Sequence, residues 1–270
     1  MKRPFLLALV PFFFHMVHGQ DVVEQDSLRA IWTDDARPDT TRFKAGNELI
    51  GTIFYTAPPD SSLRLAQELL AFARTRKLRK QEGQALNLCG IFYESMSMLD
   101  SSEANYLRCL HIFEEIGNRR GMGGVLNNLA NTVTSKDQQK AIGYYTDCLR
   151  IGEELGDSSI MARVLGNMGN IYASQGDYVR AMDHYDRRIA LADAIGDKQC
   201  AEEAWICKAI VHRQRQDFRL ARECFEKGLR MAREIDDVTG ICGALLSLGC
   251  LLYTSPSPRD RTRSRMPSSA

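Results

Sequence analysis

A unit of 39 or 40 residues recurs along the chain, and it limits what the chain can fold into more than any other feature. Ile116-Gly117-Asn118 returns as Leu155-Gly156-Asp157, as Ile195-Gly196-Asp197 and as Ile235-Asp236-Asp237. Small residues keep the same interval at Gly51, Gly90, Ala130, Gly169, Ala209 and Gly249. A fixed period of this size signals supersecondary units stacked side by side. One such unit cannot cover its own apolar face, so its neighbours must do so.

The clearest unit runs from Ile160 to Asp197. Leu165, Met168, Gly169 and Tyr172 fall at helical spacing and predict one amphipathic helix. Gly176-Asp177 breaks it. A second helix is expected from Tyr178, with Ala181, Tyr185, Ile189 and Ala192 on one stripe. Gly196-Asp197 closes the unit, because glycine accepts the left-handed conformation of a helix end. The unit is a helical hairpin, with small residues at 169 and 181 where its helices cross. The next unit repeats the scheme with Trp205, Ala209, Ala221, Phe225 and Leu229. The unit before it does so with Leu126, Leu129, Ala130, Ala141, Tyr145 and Leu149, and places Lys136-Asp137 at the turn. Leu86, Gly90, Tyr93, Tyr106 and Leu110 continue the pattern upstream, and Leu49, Gly51, Phe54 and Leu65 to Leu78 follow it loosely.

The succession of a large apolar residue, a small one, a Tyr, then Ala and an aromatic resembles the tetratricopeptide repeat (TPR). Ala204-Trp205 with Ala209, Ala221 and Phe225 is the nearest single match. The resemblance covers most of the chain. It implies an all-α fold, a right-handed superhelix of stacked hairpins, with about five repeats plus the start of a sixth within residues 43–249. Two departures stand out. The usual repeat is about 34 residues, and the proline that commonly closes it is replaced by Gly-Asp. Long Gly-Asp repeats are similar to those of bacterial exported and sensory proteins and of some eukaryotic scaffolds.

The two ends read differently. Residues 1–19 have the form of a secretory signal peptide: Lys2-Arg3, an apolar run from Phe5 to Phe14, then small residues at Val17 and Gly19. The run is shorter than the roughly 20 residues a membrane span needs. The chain is therefore expected to be exported, periplasmic or secreted, with residues 20–42 as a polar lead-in. At the other end the repeat breaks after Gly249. Cys250 to Asp260 and Ser264 to Ala270 resemble the translation of a transposase-type sequencing adaptor. Residues 250–270 are accordingly expected to be disordered and foreign to the repeat. The last hairpin would then lie open at Ile241, Leu245 and Leu248, and self-association through it is expected.

Charge and chemistry narrow the function. The 35 basic and 34 acidic residues fall to 29 and 33 once Lys2, Arg3, the four arginines of the tail and Asp260 are set aside, a net charge of −4. That gives no support for nucleic-acid binding. The run Arg74, Arg76, Lys77, Arg79, Lys80 reads as a solvated helix end, or else as a patch for an anionic partner. Seven cysteines precede Cys250, with no metal or disulfide spacing. Cys109 and Cys148 share one slot, which suits small buried side chains. His111, His184 and His212 stand on separate repeats. There is no metalloprotease, nucleotide-loop or nucleophile-elbow motif, and neither catalysis nor a cofactor or metal is expected.

What remains is binding. In the TPR family the first helices line a concave surface. The resemblance carries that role to Asn87, Glu94, Asn127, Asn131, Asn170, Arg213 and Gln214. Asparagine both donates and accepts, which suits it to clamp the backbone of an extended peptide; alternatively these residues cap or bridge neighbouring hairpins. Arg163 and Arg213 would add charge selectivity. The expected function is a protein-interaction module for a peptide or protein, forming the exported sensory part of a longer signalling protein. Two alternatives stay open: a free secreted scaffold, and the non-catalytic repeats of a cyclase or kinase whose catalytic domain lies elsewhere.

Overall fold

The computed structural model describes residues 23–53 and 58–254, so the expected signal peptide and the tail beyond Thr254 lie outside the described residues. Every element among them is a helix. They fall into two compact units that divide between Ala141 and Ile142. The first holds α1 (residues 23–33), α2 (Asp39–Ile53), α3 (Pro59–Thr75), α4 (Arg79–Ser95), α5 (Leu99–Glu115) and α6 (Arg119–Val133). The second takes up most of α7 (Gln138–Leu155) and holds α8 (Ser158–Ser174), α9 (Tyr178–Ile195), α10 (Lys198–Gln214), α11 (Phe218–Glu234) and α12 (Val238–Thr254). Within each unit the helices stack as hairpins, as the 39–40-residue period requires.

The apolar stripes of the sequence are the buried faces of these helices. On α8, Leu165, Met168, Gly169 and Tyr172 are buried, and on α9 so are Ala181, Tyr185, Ile189 and Ala192. Gly169 shows why one slot must stay small. A Cβ there would sit 2.6 Å from the ring of Tyr185, and at Gly90 one would sit 2.4 Å from the ring of Tyr106. Both tyrosines are fully buried, and each is worth about 2–3 kcal/mol of burial.

The turns explain the repeating phrase. Gly196 has φ 72°, and the amide of Asp197 donates back to the carbonyl of Ala192 at 2.9 Å. The Asp197 carboxylate then accepts from the amide of Cys200 at 2.9 Å. Glycine thus ends one helix with a Schellman-type closure and aspartate opens the next with an N-cap. Asn118, Asp157 and Asp177 cap α6, α8 and α9 in the same way. Lys77, Ser97, Gln216 and Asp236 hold the left-handed position without being glycine.

Both ends add to the reading of the sequence. The lead-in contains α1, because Trp32 packs edge-on against Phe72 with centroids 4.9 Å apart and the Nε of Arg42 donates to the Trp32 carbonyl at 3.1 Å. At the other end the helix does not stop at Gly249. It runs to Thr254, and Leu251, 3% exposed, joins Ala209, Ala221 and Phe225 in one apolar cluster. Residues 250–254, expected to be foreign to the repeat, thus continue the helix, with Leu251 buried. Leu248 packs on that cluster as well, while Leu245 and Leu246 carry the exposure.

Gly169→Ala should lower stability by about 1 kcal/mol, since overpacking of about 1–3 kcal/mol exceeds the helix-propensity gain. Gly143→Ala, on an exposed stretch of α7 with nothing within 4 Å of the new methyl, should raise it by about 0.5–1 kcal/mol. Denaturant melts of the two variants give the opposite signs directly. A second pair tests the turns: Gln216→Gly should stabilise and Gly196→Ala destabilise, each by about 1 kcal/mol, in the same melts.

Candidate partner-binding face

The first helices of successive hairpins lie next to each other, α4 beside α6 in the first unit and α8 beside α10 in the second. This follows from the hairpin itself. Each second helix takes up one apolar side of its first helix, and the small residue in the crossing slot holds the pair close. The remaining side of each first helix meets the first helix of the next hairpin.

In the first unit two of the expected site residues are committed to neighbouring side chains. Asn128 donates from Nδ2 to Oδ1 of Asn87 at 3.0 Å, which bridges α6 to α4. Glu94 accepts the Tyr106 hydroxyl at 3.1 Å. Asn127 is only 4% exposed, which leaves a partner little of it to touch. Asn131 stands exposed on α6. Asn87 therefore serves, at least on one atom, as the bridge that the sequence left as an alternative.

The arginines of the basic run are also spent internally. Burial would raise the Glu82 carboxyl, but hydrogen bonds from Arg74 at 3.0 Å and Arg79 at 2.7 Å outweigh it and hold the group below the usual carboxylate range. Arg79 also pairs with Glu115, and Arg76 with Asp39 at 3.6 Å. These arginines tie α3, α4 and α5 together and do not form an open anion patch. The folded carboxyl of Glu82 titrates below its unfolded value, so its contribution is present above about pH 4.3 and is lost as pH falls through the folded pKa. Glu82→Gln should cost about 1 kcal/mol at neutral pH, a modest figure because the arginines are nearly half exposed. The gap to the unsubstituted protein should close in urea melts run at acid pH.

The second unit has the open cleft. It is about 540 Å³ in volume and lies between α8 and α10, with α9 at its floor. Arg163, Asn167 and Asn170 line it from α8, Arg188 from α9, and Glu202, Glu203 and Ile206 from α10. Of the residues expected from sequence, the structure brings Arg163 and Asn170 together here. Arg213 and Gln214 are exposed at the far end of α10 and do not line the cleft. Asn170 accepts the Tyr185 hydroxyl on Oδ1 at 2.7 Å, which fixes the amide so that Nδ2 is the donor offered to the cleft. Arg163 is exposed and makes no ion pair among the described residues.

Arg188 and Glu202 were not expected. Arg188 reaches under Gly166, where a Cβ would meet its Nη1 at 2.6 Å; its Nε donates to Sγ of Cys200 at 3.2 Å, and its guanidinium pairs with Glu203. Glu202 is 4% exposed, and burial first, then the charges of Asp237 and Glu203, push its carboxyl above the usual range. The repeat register held a signal for both, since each stands where the neighbouring hairpins carry a small or apolar residue. Among the described residues no trio of His, Cys, Asp or Glu is placed to hold a metal, and no helix is long and apolar enough to cross a membrane.

Residues 125–194 match the tetratricopeptide repeat family model. No curated protein sequence matches the chain. Among solved structures it is similar to BtubC (BKLC) from P. vanneervenii, with TM-score 0.69 and 19% identity over 81% of this chain and 91% of that one. It is also similar to a signal-transduction ATPase (STAND) protein with a tetratricopeptide repeat sensor from Pyrococcus horikoshii, with TM-score 0.60 and 15% identity. The alignment covers 92% of this chain but spans only 41% of that one. A third similar structure is a Rap protein complexed with competence and sporulation factor, with TM-score 0.60 and 12% identity over 89% of this chain and 72% of that one. At these identities the likeness is one of fold: stacked TPR hairpins.

Proposed function

We propose that this chain is a protein-interaction module that holds an extended peptide segment in the cleft between α8 and α10. The observation that carries the reading is the pairing of an open cleft of about 540 Å³ with an amide whose orientation is already set, Asn170 against Tyr185. A donor fixed before binding loses little entropy on contact and recognises a backbone carbonyl whatever the side chain beside it. Arg163 adds an uncommitted cation at the same cleft. The fold favours this class of function, because stacked hairpins expose long surfaces formed by equivalent helices.

The finer reading is that the module is the exported sensory part of a signalling protein. It is supported by the basic start and apolar run of residues 1–19. It is also supported by the company of the fold, since one similar structure is described as carrying a repeat sensor and another as complexed with competence and sporulation factor.

Panning a random dodecapeptide display library on the immobilised full-length chain tests the binding reading. Peptides should enrich, and Asn170→Asp, which keeps the acceptor for Tyr185 and removes the donor, should weaken an enriched peptide about three- to tenfold in fluorescence anisotropy. Failure of any peptide to enrich, or equal binding by the variant, would overturn it.

A further inference from the structure

Two charged side chains stand in the cleft at positions that the neighbouring repeats give to small or apolar residues. Seven places before the small residue come Gly83, Gly123, Ala162 and then Glu202 in four successive first helices, with Lys44 and Cys242 at the slot in the first and last. Three places after the aromatic of each second helix come Cys109, Cys148, Arg188 and Gly228. Packing needs no charge at either slot, as the buried Cys109 and Ala162 show.

Arg188 is answered by Cys200 and Glu203. Glu202 is not. It is 4% exposed and makes no hydrogen bond and no ion pair among the described residues; the charge of Arg188, already paired with Glu203, reaches it only at a distance, while Asp237 and Glu203 repel it. Its Oε1 approaches the first turn of α12, where a Cβ added at Gly240 would lie 3.1 Å from it and 2.6 Å from Oδ2 of Asp237. Two carboxylates therefore converge at the edge of a cleft that Glu202 itself lines. A buried ion without a contacting partner is costly, and the same slot is filled by alanine one repeat earlier. What the arrangement lacks is a cation in direct contact with Glu202. A metal ion is disfavoured, because no trio of ligands is placed to hold one among the described residues. A chain segment lying in the cleft can supply the cation instead.

We propose that Glu202, supported by Asp237 and Glu203, receives the ammonium or guanidinium group of a lysine or arginine in the bound segment, so that the cleft selects basic peptides. Arg163, on the opposite helix, then faces the carbonyls or an acidic neighbour of that residue. The proposal rests on the peptide-cleft reading above and names the chemistry of its ligand.

The test is to compare dodecapeptide selections on the full-length protein and on its Glu202→Gln variant. The unsubstituted protein should enrich peptides with Lys or Arg at one fixed place, and Glu202→Gln should lose that preference. One enriched lysine peptide should bind the variant about tenfold or more weakly, whereas its norleucine analogue should bind both proteins alike. Thermal melts keep the outcome interpretable. Glu202→Ala, which restores the residue of the preceding repeat, should fold at least as stably and show the same loss. Enrichment without any basic preference, or equal binding of the lysine peptide by both proteins, overturns the cation site and leaves the cleft standing. If no peptide enriches on either protein, the cleft reading and the cation site fall together.

Discussion

The fold depends on a two-residue turn that ends one helix in a left-handed conformation and opens the next with a side-chain cap. At Gly196-Asp197 both halves are visible: the back-donated amide to Ala192 and the carboxylate on the amide of Cys200. Because the turn is so short, each helix must double back on the one before it. The period of the sequence is then the period of the structure, and equivalent residues meet equivalent neighbours. The slots at 90 and 169, filled by tyrosine rings where a Cβ would be, follow from that register.

Regularity also gives meaning to its exceptions. A slot that accepts cysteine twice and glycine once has no packing reason to hold Arg188, and one that accepts glycine twice and alanine once has none to hold Glu202. Both exceptions fall on one cleft, from α9 and α10. Elsewhere several charges close on themselves. Arg74 and Arg79 clamp Glu82, and Lys208 over the Trp205 ring also pairs with Asp186. Against that background the cleft is set apart by Glu202, a buried carboxylate with no hydrogen bond or ion pair among the described residues.

The architecture was legible from the sequence because helix stripes and helix stops are local signals. Tyr178 begins α9, and Ala181, Tyr185, Ile189 and Ala192 are its buried stripe, as the spacing alone suggested. The site was harder to read. Counting positions from the small residue found Asn170 and Arg163. It also gathered Asn87 and Asn127, which the structure places in a bridge and in a buried face. Spacing says which way a helix face turns, but not whether a neighbour has already taken its hydrogen bonds. The ends misled for a related reason. Trp32 on Phe72 and Leu251 on the Phe225 cluster are contacts between distant residues, and neither the polar lead-in nor the break after Gly249 advertises them.

The turn has a consequence for how the molecule comes into being. Within each unit a helix packs on its successor and, at most, on the one after that. Contacts so close along the chain let the polypeptide organise quickly, since little loop entropy is lost before packing rewards it. Each hairpin can condense on the one already formed as it leaves the ribosome, with no distant strand to await. The same locality makes the array extensible: a block of about forty residues with its Gly-Asp joint can be duplicated, and a copy then diverges at one slot while the others keep the stack intact.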